Sequence, residues 1–351
     1  MNIKKLDFLE ALRKCSPGVD MGKTVFDASD CFVFVGDRVY SYNDKVSVSA
    51  KIGLDCKPCA VKGKELVGVL SKLPLDDVEV EFTAKTMDLI CGKVRASFNY
   101  INYDKNVYSK LGIGDEWVPL GKDWVQKLGL CNIKYSNTMA DNRKKISGVY
   151  VDKNTMLSSD GKQINVVELE GCEADMFFIH YPFISDLLKF DGICKFQRTK
   201  SWLHFSTESG TVVSVRFVPF MTDIMRKITQ SVAVTEENEK FSVEVPPELF
   251  DAVERASVMS SSVGTDSALR MDIEKGFFEF TGEKTAGVYT EKVPFDINSE
   301  IEDVSVFVDI DLFKYMKGRK YTMSVSDVDG MVRLLFKNEG EKHIFSTLNK
   351  D

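Results

Sequence analysis

Long hydrophobic runs are absent from this sequence of 351 residues. No stretch approaches the length of about 18 consecutive apolar residues that a transmembrane helix needs. The N-terminus also lacks the apolar core of a signal peptide, because Asp7 and Glu10 interrupt its apolar pattern. These two absences predict an intracellular, cytoplasmic protein with no membrane partner.

Histidine is scarce, with only His180, His204 and His343 in the chain, and each lies in an apolar run typical of a strand. Such positions favour a partly buried structural role over a catalytic base. The sequence also lacks a Ser/His/Asp arrangement and a nucleophile elbow. We therefore predict no catalytic residue, no metal site and no cofactor.

The eight cysteines are spread singly, apart from Cys56 and Cys59. In an intracellular chain of this size most cysteines behave as small buried hydrophobic residues. The motif Cys56-Lys57-Pro58-Cys59 precedes a predicted helix, as a redox dithiol would, but no second pair or nearby histidine completes a zinc site. An enzyme built on this pair is one alternative that the sequence leaves open.

One helical pattern returns along the chain. In Lys4–Lys14, the residues Leu6, Phe8, Leu9 and Leu12 are predicted to form one apolar side of a helix. Two adjacent apolar residues, followed by a third apolar residue three positions later, recur about every 60 residues. The six copies are Phe8-Leu9-Leu12, Leu66-Val67-Leu70, Trp124-Val125-Leu128, Phe183-Ile184-Leu187, Leu249-Phe250-Val253 and Leu312-Phe313-Met316.

Strand-like runs follow the predicted helices, so that the repeat is one helix plus about four strands. Turn signals such as Asp160-Gly161 and Asp329-Gly330 separate the runs. The polar segments Asp104–Asp115 and Thr235–Lys240 are plausible boundaries. They predict three domains of similar size, at residues 1–112, 113–234 and 235–351, each with two copies of the repeat.

The net charge of −7 argues against a uniformly basic surface, but not against a local one. Together the six helical segments are net positive, whereas the rest of the chain is net negative, and Lys and Arg gather at the C-terminal ends of the helices. Two interpretations stay open. The cations compensate helix dipoles, or they form a basic face that binds the phosphate backbone of a nucleic acid without recognising its base sequence.

The segment Asn142–Glu168 resembles the middle domain of the bacterial DNA polymerase III beta sliding clamp, a DNA polymerase processivity factor. Arg143, Ile146 and Gly148 match an Arg, a short aliphatic stretch and a Gly that lead into a strand in that family. Ser159–Ile164 aligns with a Thr-Asp-Gly-His-Arg-Leu hairpin, in which Asp160 and Gly161 are identical. The same Asp-Gly pair is also an ordinary two-residue hairpin turn.

The resemblance covers the whole chain at the level of architecture. A first helix containing Phe8–Leu12 and a third-domain opening at Val245–Ser257 both fit. The C-terminus departs from the family, which usually ends in a Met-Pro-Met-Arg-Leu-like tail, whereas this chain ends in His343–Asp351. These features are similar to a divergent clamp from a bacteriophage or mobile element, acting in the bacterial cytoplasm or nucleoid.

The resemblance implies an α+β DNA clamp fold, with three similar domains that each place two helices on antiparallel sheets. Such a chain forms half of a closed ring, and two chains form a homodimer that encircles double-stranded DNA without reading its sequence. The ring makes and breaks no bond itself and tethers a DNA polymerase for processive replication. The residues expected to face DNA are Arg13, Lys14, Lys72, Lys127, Arg143, Lys144, Lys189, Arg255, Lys317, Arg319 and Lys320.

The resemblance also implies an apolar groove between the second and third domains, where the polymerase and the clamp loader dock through short peptide motifs. The residues carried over to this groove are Ile146, Asp160, Gly161, Lys162, Ile164, Arg226, Ile228, Ile344, Ser346 and Leu348. A second alternative to the clamp is a structural or scaffolding protein that uses the same repeats without DNA.

Overall fold

The structure is a computed structural model. It describes residues 1–20, 28–106, 108–133, 147–219, 222–263, 266–274, 276–296, 301–310, 313 and 316–347, with only the backbone for residues 222, 261–263 and 266–268. The chain divides into two compact units. Unit 1 contains Met1–Gln126 and Glu170–Pro219, and unit 2 contains Lys127–Leu169 and Phe220–Asp351.

Six α-helices occur in the described parts of the chain. They are α1 (Lys5–Cys15), α2 (Gly63–Leu70), α3 (Trp124–Cys131), α4 (Tyr181–Leu187), α5 (Thr222–Glu237) and α6 (Glu248–Ser257). Five of them coincide with copies of the predicted repeat. The sixth copy, Leu312–Met316, lies largely outside the described residues, and α5 was not predicted. No helix of the described chain is long and apolar enough to cross a membrane.

The strands of unit 1 form two antiparallel sheets, in the orders β1-β4-β5-β6 and β2-β3-β14-β13-β12-β7. Strand β6 lies at an edge of the first sheet. In the second sheet, β3 from the first third of the chain pairs with β14. The strands are β1 (Asn2–Lys4), β2 (Cys31–Tyr42), β3 (Val46–Lys62), β4 (Asp77–Phe82), β5 (Thr86–Cys91), β6 (Val94–Asn99), β7 (Val118–Pro119), β12 (Ile193–Arg198), β13 (Trp202–Thr207) and β14 (Val212–Arg216), and β11 (Phe177–His180) also belongs to this unit.

The strands of unit 2 lie in two further antiparallel sheets. One contains the order β8-β9-β10-β23-β22-β21-β15, and the other the order β16-β17-β18-β19, with β20 also paired to β17. Strand β19 lies at an edge. The strands are β8 (Gly148–Asp152), β9 (Thr155–Ser159), β10 (Gln163–Glu168), β15 (Glu239–Glu244), β16 (Ser261–Val263), β17 (Asp266–Glu274), β18 (Phe277–Lys284), β19 (Gly287–Pro294), β20 (Val304–Asp309), β21 (Thr322–Val328), β22 (Met331–Asn338) and β23 (Glu341–Ser346).

Helix α1 shows how the repeat builds a core. Its apolar side packs on β2 and β3, and the Phe8 ring meets the Phe34 ring edge-on, with 6.2 Å between centroids. Phe8, Leu9 and Leu12 are buried as predicted, but Leu6 is 67% exposed. Including Leu6 in the apolar side was wrong, because it lies about 200° around the helix from Phe8 at 100° per residue.

The strand and turn signals are confirmed at the described positions. The runs beginning near Val78, Ile164 and Met331 form β4, β10 and β22. Gly161 and Gly330 have φ values of +91° and +78°, which residues with a Cβ rarely adopt. Local periodicity and turn chemistry were therefore sufficient to locate these elements.

The segment Thr235–Lys240 is not a linker in the structure. It contains the last turn of α5 and the first residues of β15. Thr235 is buried on the inner side of the helix. The three-domain division stays a prediction, and the position 234/235 proposed for its second boundary lies within α5.

Candidate functional site

Two segments of the predicted groove meet in one sheet of unit 2. Strands β10 and β23 are antiparallel neighbours, and their register places Ile164 directly opposite Ile344. The Ser346 N–H donates a hydrogen bond to the Lys162 carbonyl oxygen at 2.8 Å. The structure therefore brings together four of the predicted groove residues, from positions far apart in the sequence.

The Asp160-Gly161 turn between β9 and β10 is held by its own side chain. Asp160 Oδ1 accepts hydrogen bonds from the N–H groups of Lys162 and Gln163, at 2.8 and 2.9 Å. Gly161 supplies the positive φ that the turn requires. Local turn chemistry thus accounts for both residue types, and any contact of theirs with a partner stays a prediction.

One side of this sheet carries an apolar row. Residues directly opposite each other on antiparallel strands point to the same side, so Ile164, Ile344 and Leu335 lie side by side. Arg333 precedes Leu335 by two positions and points the same way. We call this side of the strands β10, β23 and β22 the docking face.

Helix α5 packs against β9, β21 and β22. Its buried residues Ile228, Val232 and Thr235 form one stripe along the helix. The Arg333 Nη1 group, on the docking face, donates hydrogen bonds of 2.9 Å to Ser231 Oγ and Thr235 Oγ1. The helix therefore lies over the docking face and covers apolar residues that the resemblance assigns to an open groove.

The two groove residues predicted on α5 have different surroundings. Ile228 belongs to the buried stripe. Arg226 is exposed and pairs with Asp223 on the same helix, at 3.3 Å. The sequence did carry a signal for this helix, since Ile228, Val232 and Thr235 have the spacing of one helical face.

A polar network lies on the opposite side of the same strands. His343 Nδ1 donates to Asn165 Oδ1 at 3.0 Å, and these two residues are opposite each other in β23 and β10. The Cys131 carbonyl at the end of α3 accepts hydrogen bonds from Ser158 Oγ and Asn165 Nδ2. These bonds fix α3 to β9 and β10, because buried polar groups destabilise a fold unless they are paired.

Glu341 continues this network at the start of β23. Its carboxylate accepts hydrogen bonds from Arg319 Nη1 at 2.5 Å and from Tyr321 Oη at 3.0 Å, and it lies 3.5 Å from His343 Nε2. Burial disfavours the charged carboxylate, but the His343, Tyr321 and Arg319 side chains outweigh burial and hold the pKa of Glu341 at about 2.

We expect the Glu341→Gln substitution to remove a pH-dependent part of the stability. The folded-state pKa lies below the ordinary value of 4.5, so the stabilisation is complete above that pH and is lost as the pH falls towards 2. Near neutral pH the variant should lose on the order of 2 kcal/mol of unfolding free energy. Urea titrations of both proteins at several pH values measure this difference, and a difference that stays constant down to pH 3 would contradict the assignment.

Four predicted site residues lie outside the described residues. They are Arg143, Lys144, Ile146 and Leu348. Their assignment to DNA or to the groove stays a prediction.

Comparison with known proteins gives likeness at the level of structure. No family model matches the sequence, and no curated protein matches it. A DNA polymerase sliding clamp from Bacillus subtilis superposes with a TM-score of 0.80 at 14% identity, covering 100% of this chain and 99% of that one. The DNA polymerase III beta subunits of Pseudomonas aeruginosa and Thermotoga maritima give TM-scores of 0.78 and 0.76, at 12% and 16% identity. Both matches cover 100% of this chain. They cover 100% of the Pseudomonas aeruginosa chain and 99% of the Thermotoga maritima chain.

The chain has the sliding-clamp fold. The likeness extends over the full length of this chain and over nearly the full length of each matched chain, so it is not limited to one repeat. The predicted fold class, an α+β clamp fold of helices on antiparallel sheets, is confirmed. At these identities the likeness concerns the fold, and the role of each residue has to be argued from this chain.

In this clamp-fold chain, several cations predicted to face DNA have carboxylate partners. Lys317 contacts both Asp251 and Glu254 at 2.8 Å, and hydrogen bonds to these carboxylates raise the pKa of Lys317. The other four pairs are Lys14 with Glu10, Lys189 with Asp186, Arg255 with Glu291, and Arg319 with Glu341. These partners neutralise much of the positive charge that a phosphate backbone would meet.

The remaining described cations of the predicted set have no ion pair with another described residue. They are Arg13, Lys72, Lys127 and Lys320. Arg13, Lys72 and Lys320 are exposed, and Lys127 is half-buried. The prediction is therefore strongest for these four residues, and sequence alone did not separate them from the paired ones.

Cys56 and Cys59 lack the surroundings of a redox pair. Both lie within β3 and are buried. Burial raises the pKa of each thiol to about 12. Since the thiolate is the reactive form, these positions do not favour nucleophilic or redox chemistry.

Proposed function

We propose that this protein is a DNA sliding clamp, whose homodimeric ring encircles duplex DNA and tethers a DNA polymerase for processive replication in the bacterial cytoplasm. The observation that carries the proposal is the full-length likeness to solved sliding clamps. The polymerase and the clamp loader would bind through short peptides at the docking face. The chain would supply position and topology, and no bond would be made or broken.

Two edge strands, β6 and β19, support ring closure, because each pairs with only one other strand among the described residues. Within the chain, separate sheet segments already join through β3 with β14 and through β10 with β23. The edges of β6 and β19 would join in the same way between two copies, which removes exposed sheet edges. Exposed apolar residues accompany both edges. Leu75 and Val94 lie near β6, and Val258 and Val288 lie near β19.

The cations without ion pairs would contact the DNA. Weak contacts from Arg13, Lys72, Lys127 and Lys320 suit a ring that slides, because phosphate contacts carry no sequence information. The net negative charge of the whole chain would keep DNA from binding elsewhere on the protein.

The proposal is tested by solution mass and by retention on DNA of different topology. We expect a mass near twice that of the 39.6 kDa chain, and retention on closed circular DNA that is lost after linearisation. A triple Arg13→Glu, Lys72→Glu, Lys320→Glu variant should lose about 10-fold or more in retention, since three phosphate contacts become repulsive.

The matched control reverses three exposed lysines outside the predicted set, namely Lys85, Lys105 and Lys153. It should behave like the unmodified protein. A stable monomer, or a dimer that binds circular and linear DNA equally under loading conditions, would refute the clamp. It would favour the alternative of a scaffolding protein built on the same repeats.

A further inference from the structure

We propose that α5 is a displaceable lid over the docking face, and that a partner peptide binds by taking the place of α5. The identity of this partner, an apolar segment of the polymerase or the clamp loader, rests on the proposed clamp function. The evidence for a lid comes from how α5 is held, which does not depend on that function.

Helix α5 buries few apolar side chains. Over its 16 residues, the buried apolar side chains among those described are Ile228 and Val232. Helix α6 has 10 residues and buries Leu249, Phe250 and Val253 as well as two alanines. Because burial of apolar surface is the main force that fixes a helix to a sheet, α5 is held more weakly than α6.

The surface beneath α5 contains polar atoms that this arrangement leaves unpaired. Ser324 Oγ, Ser326 Oγ and Arg333 Nε are buried without a hydrogen-bond partner among the described residues. Ser324 lies opposite Leu335, and Ser326 lies opposite Arg333, so both serines point to the docking side. Buried unpaired polar groups are unfavourable, and they leave donors and acceptors for another occupant.

The attachments of α5 are concentrated in its C-terminal half. Arg333 bonds to Ser231 and Thr235, and Lys342 pairs with Glu236 at 2.7 Å. In the N-terminal half, the described side-chain bonds stay within the helix, from Arg226 to Asp223 and from Thr229 to the Met225 carbonyl. The N-terminal half can therefore separate from the sheet first, and displacement of the whole helix must also break the bonds of Arg333 and Lys342 in the C-terminal half.

The surface that such a movement uncovers fits an apolar peptide. Ile164, Ile344 and Leu335 form its central row. Ile228 and Val232 of α5 show the kind of side chain that this region accepts, two apolar groups one helical turn apart. A partner segment with that spacing would replace the buried stripe of α5 and could also pair with Arg333.

The first test is amide hydrogen exchange of the unmodified full-length protein. We expect the amides of Ile224–Gln230 to exchange about 100-fold faster than those of the central turn of α6, because locally opened segments exchange through their own low-energy opening. Exchange of α5 as slow as that of α6 would overturn the proposal. This measurement needs no variant and no ligand.

The second test uses a fluorescent synthetic peptide of residues 222–237 as the probe. In the unmodified protein the covalently attached α5 competes at a high effective concentration, so binding of the peptide should be weak. The Ile228→Asp substitution places a charge in the buried stripe and should detach the chain's own α5 from the docking face. This variant should therefore bind the peptide at least about 10-fold more tightly. The control Val234→Asp places the same charge on an exposed position of α5 and should bind like the unmodified protein.

Equal binding by the unmodified protein and a folded Ile228→Asp variant, or no binding by either, would overturn the proposal. Circular dichroism shows whether the variant is folded, and Arg333→Met offers a second way to loosen α5. Neither test contains DNA. Loss of the preferential retention on closed circular DNA would therefore refute the clamp function without affecting the lid proposal. Normal retention together with slow amide exchange in α5 would refute only the lid.

Discussion

Replacing Val258 with arginine is expected to convert the protein from a dimer into a monomer and to abolish its retention on closed circular DNA. Val258 follows α6 and is 70% exposed in the chain. Its carbonyl accepts a hydrogen bond from Lys284 Nζ at 2.9 Å, beside the hairpin of β18 and β19. Helix α6 packs on both strands, so Val258 lies near the unpaired edge that would meet the second copy.

Arginine at this position would place a charge without a partner in an apolar contact. Burying an unpaired charge is strongly unfavourable, and we expect the dimer dissociation constant to rise by about 100-fold or more. Analytical ultracentrifugation over a dilution series measures the change. The control Met331→Arg changes another exposed apolar residue, at the start of β22 in a sheet that contains neither β6 nor β19, and should leave the dimer intact.

Two variants that damage different edges are expected to form a dimer only when they are mixed. Val94→Arg damages the β6 edge, whereas Val258→Arg damages the β19 edge, so each variant alone should be monomeric. Mixed at high concentration, they retain one intact β6 to β19 contact and should form a dimer that cannot close. This open dimer should not be retained on circular DNA. A Val258→Arg protein that stays dimeric on dilution would contradict the proposed interface.

Replacing Gly121 with alanine is expected to destabilise the fold by about 4 kcal/mol, through backbone strain and a steric clash together. Gly121 has a φ of +83°, and a Cβ built on it would lie 2.0 Å from the Glu170 carbonyl oxygen. That atom belongs to the backbone and cannot move aside as a flexible side chain would. The adjacent Leu120 forms a bridge with Cys172, so the close approach is fixed on both chain segments.

The matched control is Gly68→Ala. Gly68 lies within α2, its φ is not in the left-handed region, and a Cβ there would meet no atom within 4 Å. Alanine favours the helix and should stabilise the protein by about 0.5 to 1 kcal/mol. Urea denaturation followed by near-ultraviolet circular dichroism measures both changes. Similar urea midpoints for the two variants would contradict the strain and the steric clash expected for alanine at position 121.

The elements that sequence located correctly are those with a local signal. Apolar spacing predicted α1 and α6, and an Asp-Gly turn between alternating runs predicted the hairpin of β9 and β10. Leu6 is exposed although it is apolar, because the presence of an apolar residue in a helix does not by itself give its angle around the helix. Helix α5 was missed because the acidic segment Thr235–Lys240, which contains its last turn, resembles a domain boundary.

The predicted site shows a similar division. The resemblance assigned Ile164, Ile344 and Ser346 to one groove, and the structure places them on adjacent strands of one sheet, while their role in binding stays a prediction. It did not show that α5 covers this surface. The charge pattern selected Arg13 and Lys317 alike. Only the folded chain shows that Lys317 has two carboxylate partners while Arg13 has none among the described residues.

The sequence by itself determined the repeat of a helix and antiparallel strands, because helical and strand periodicity are properties of neighbouring residues. Only the tertiary structure decided which distant residues meet. His343 and Asn165 are separated by 178 positions and share a hydrogen bond. Their meeting depends on the register of β10 with β23, which the packing of the whole sheet fixes and no local pattern records.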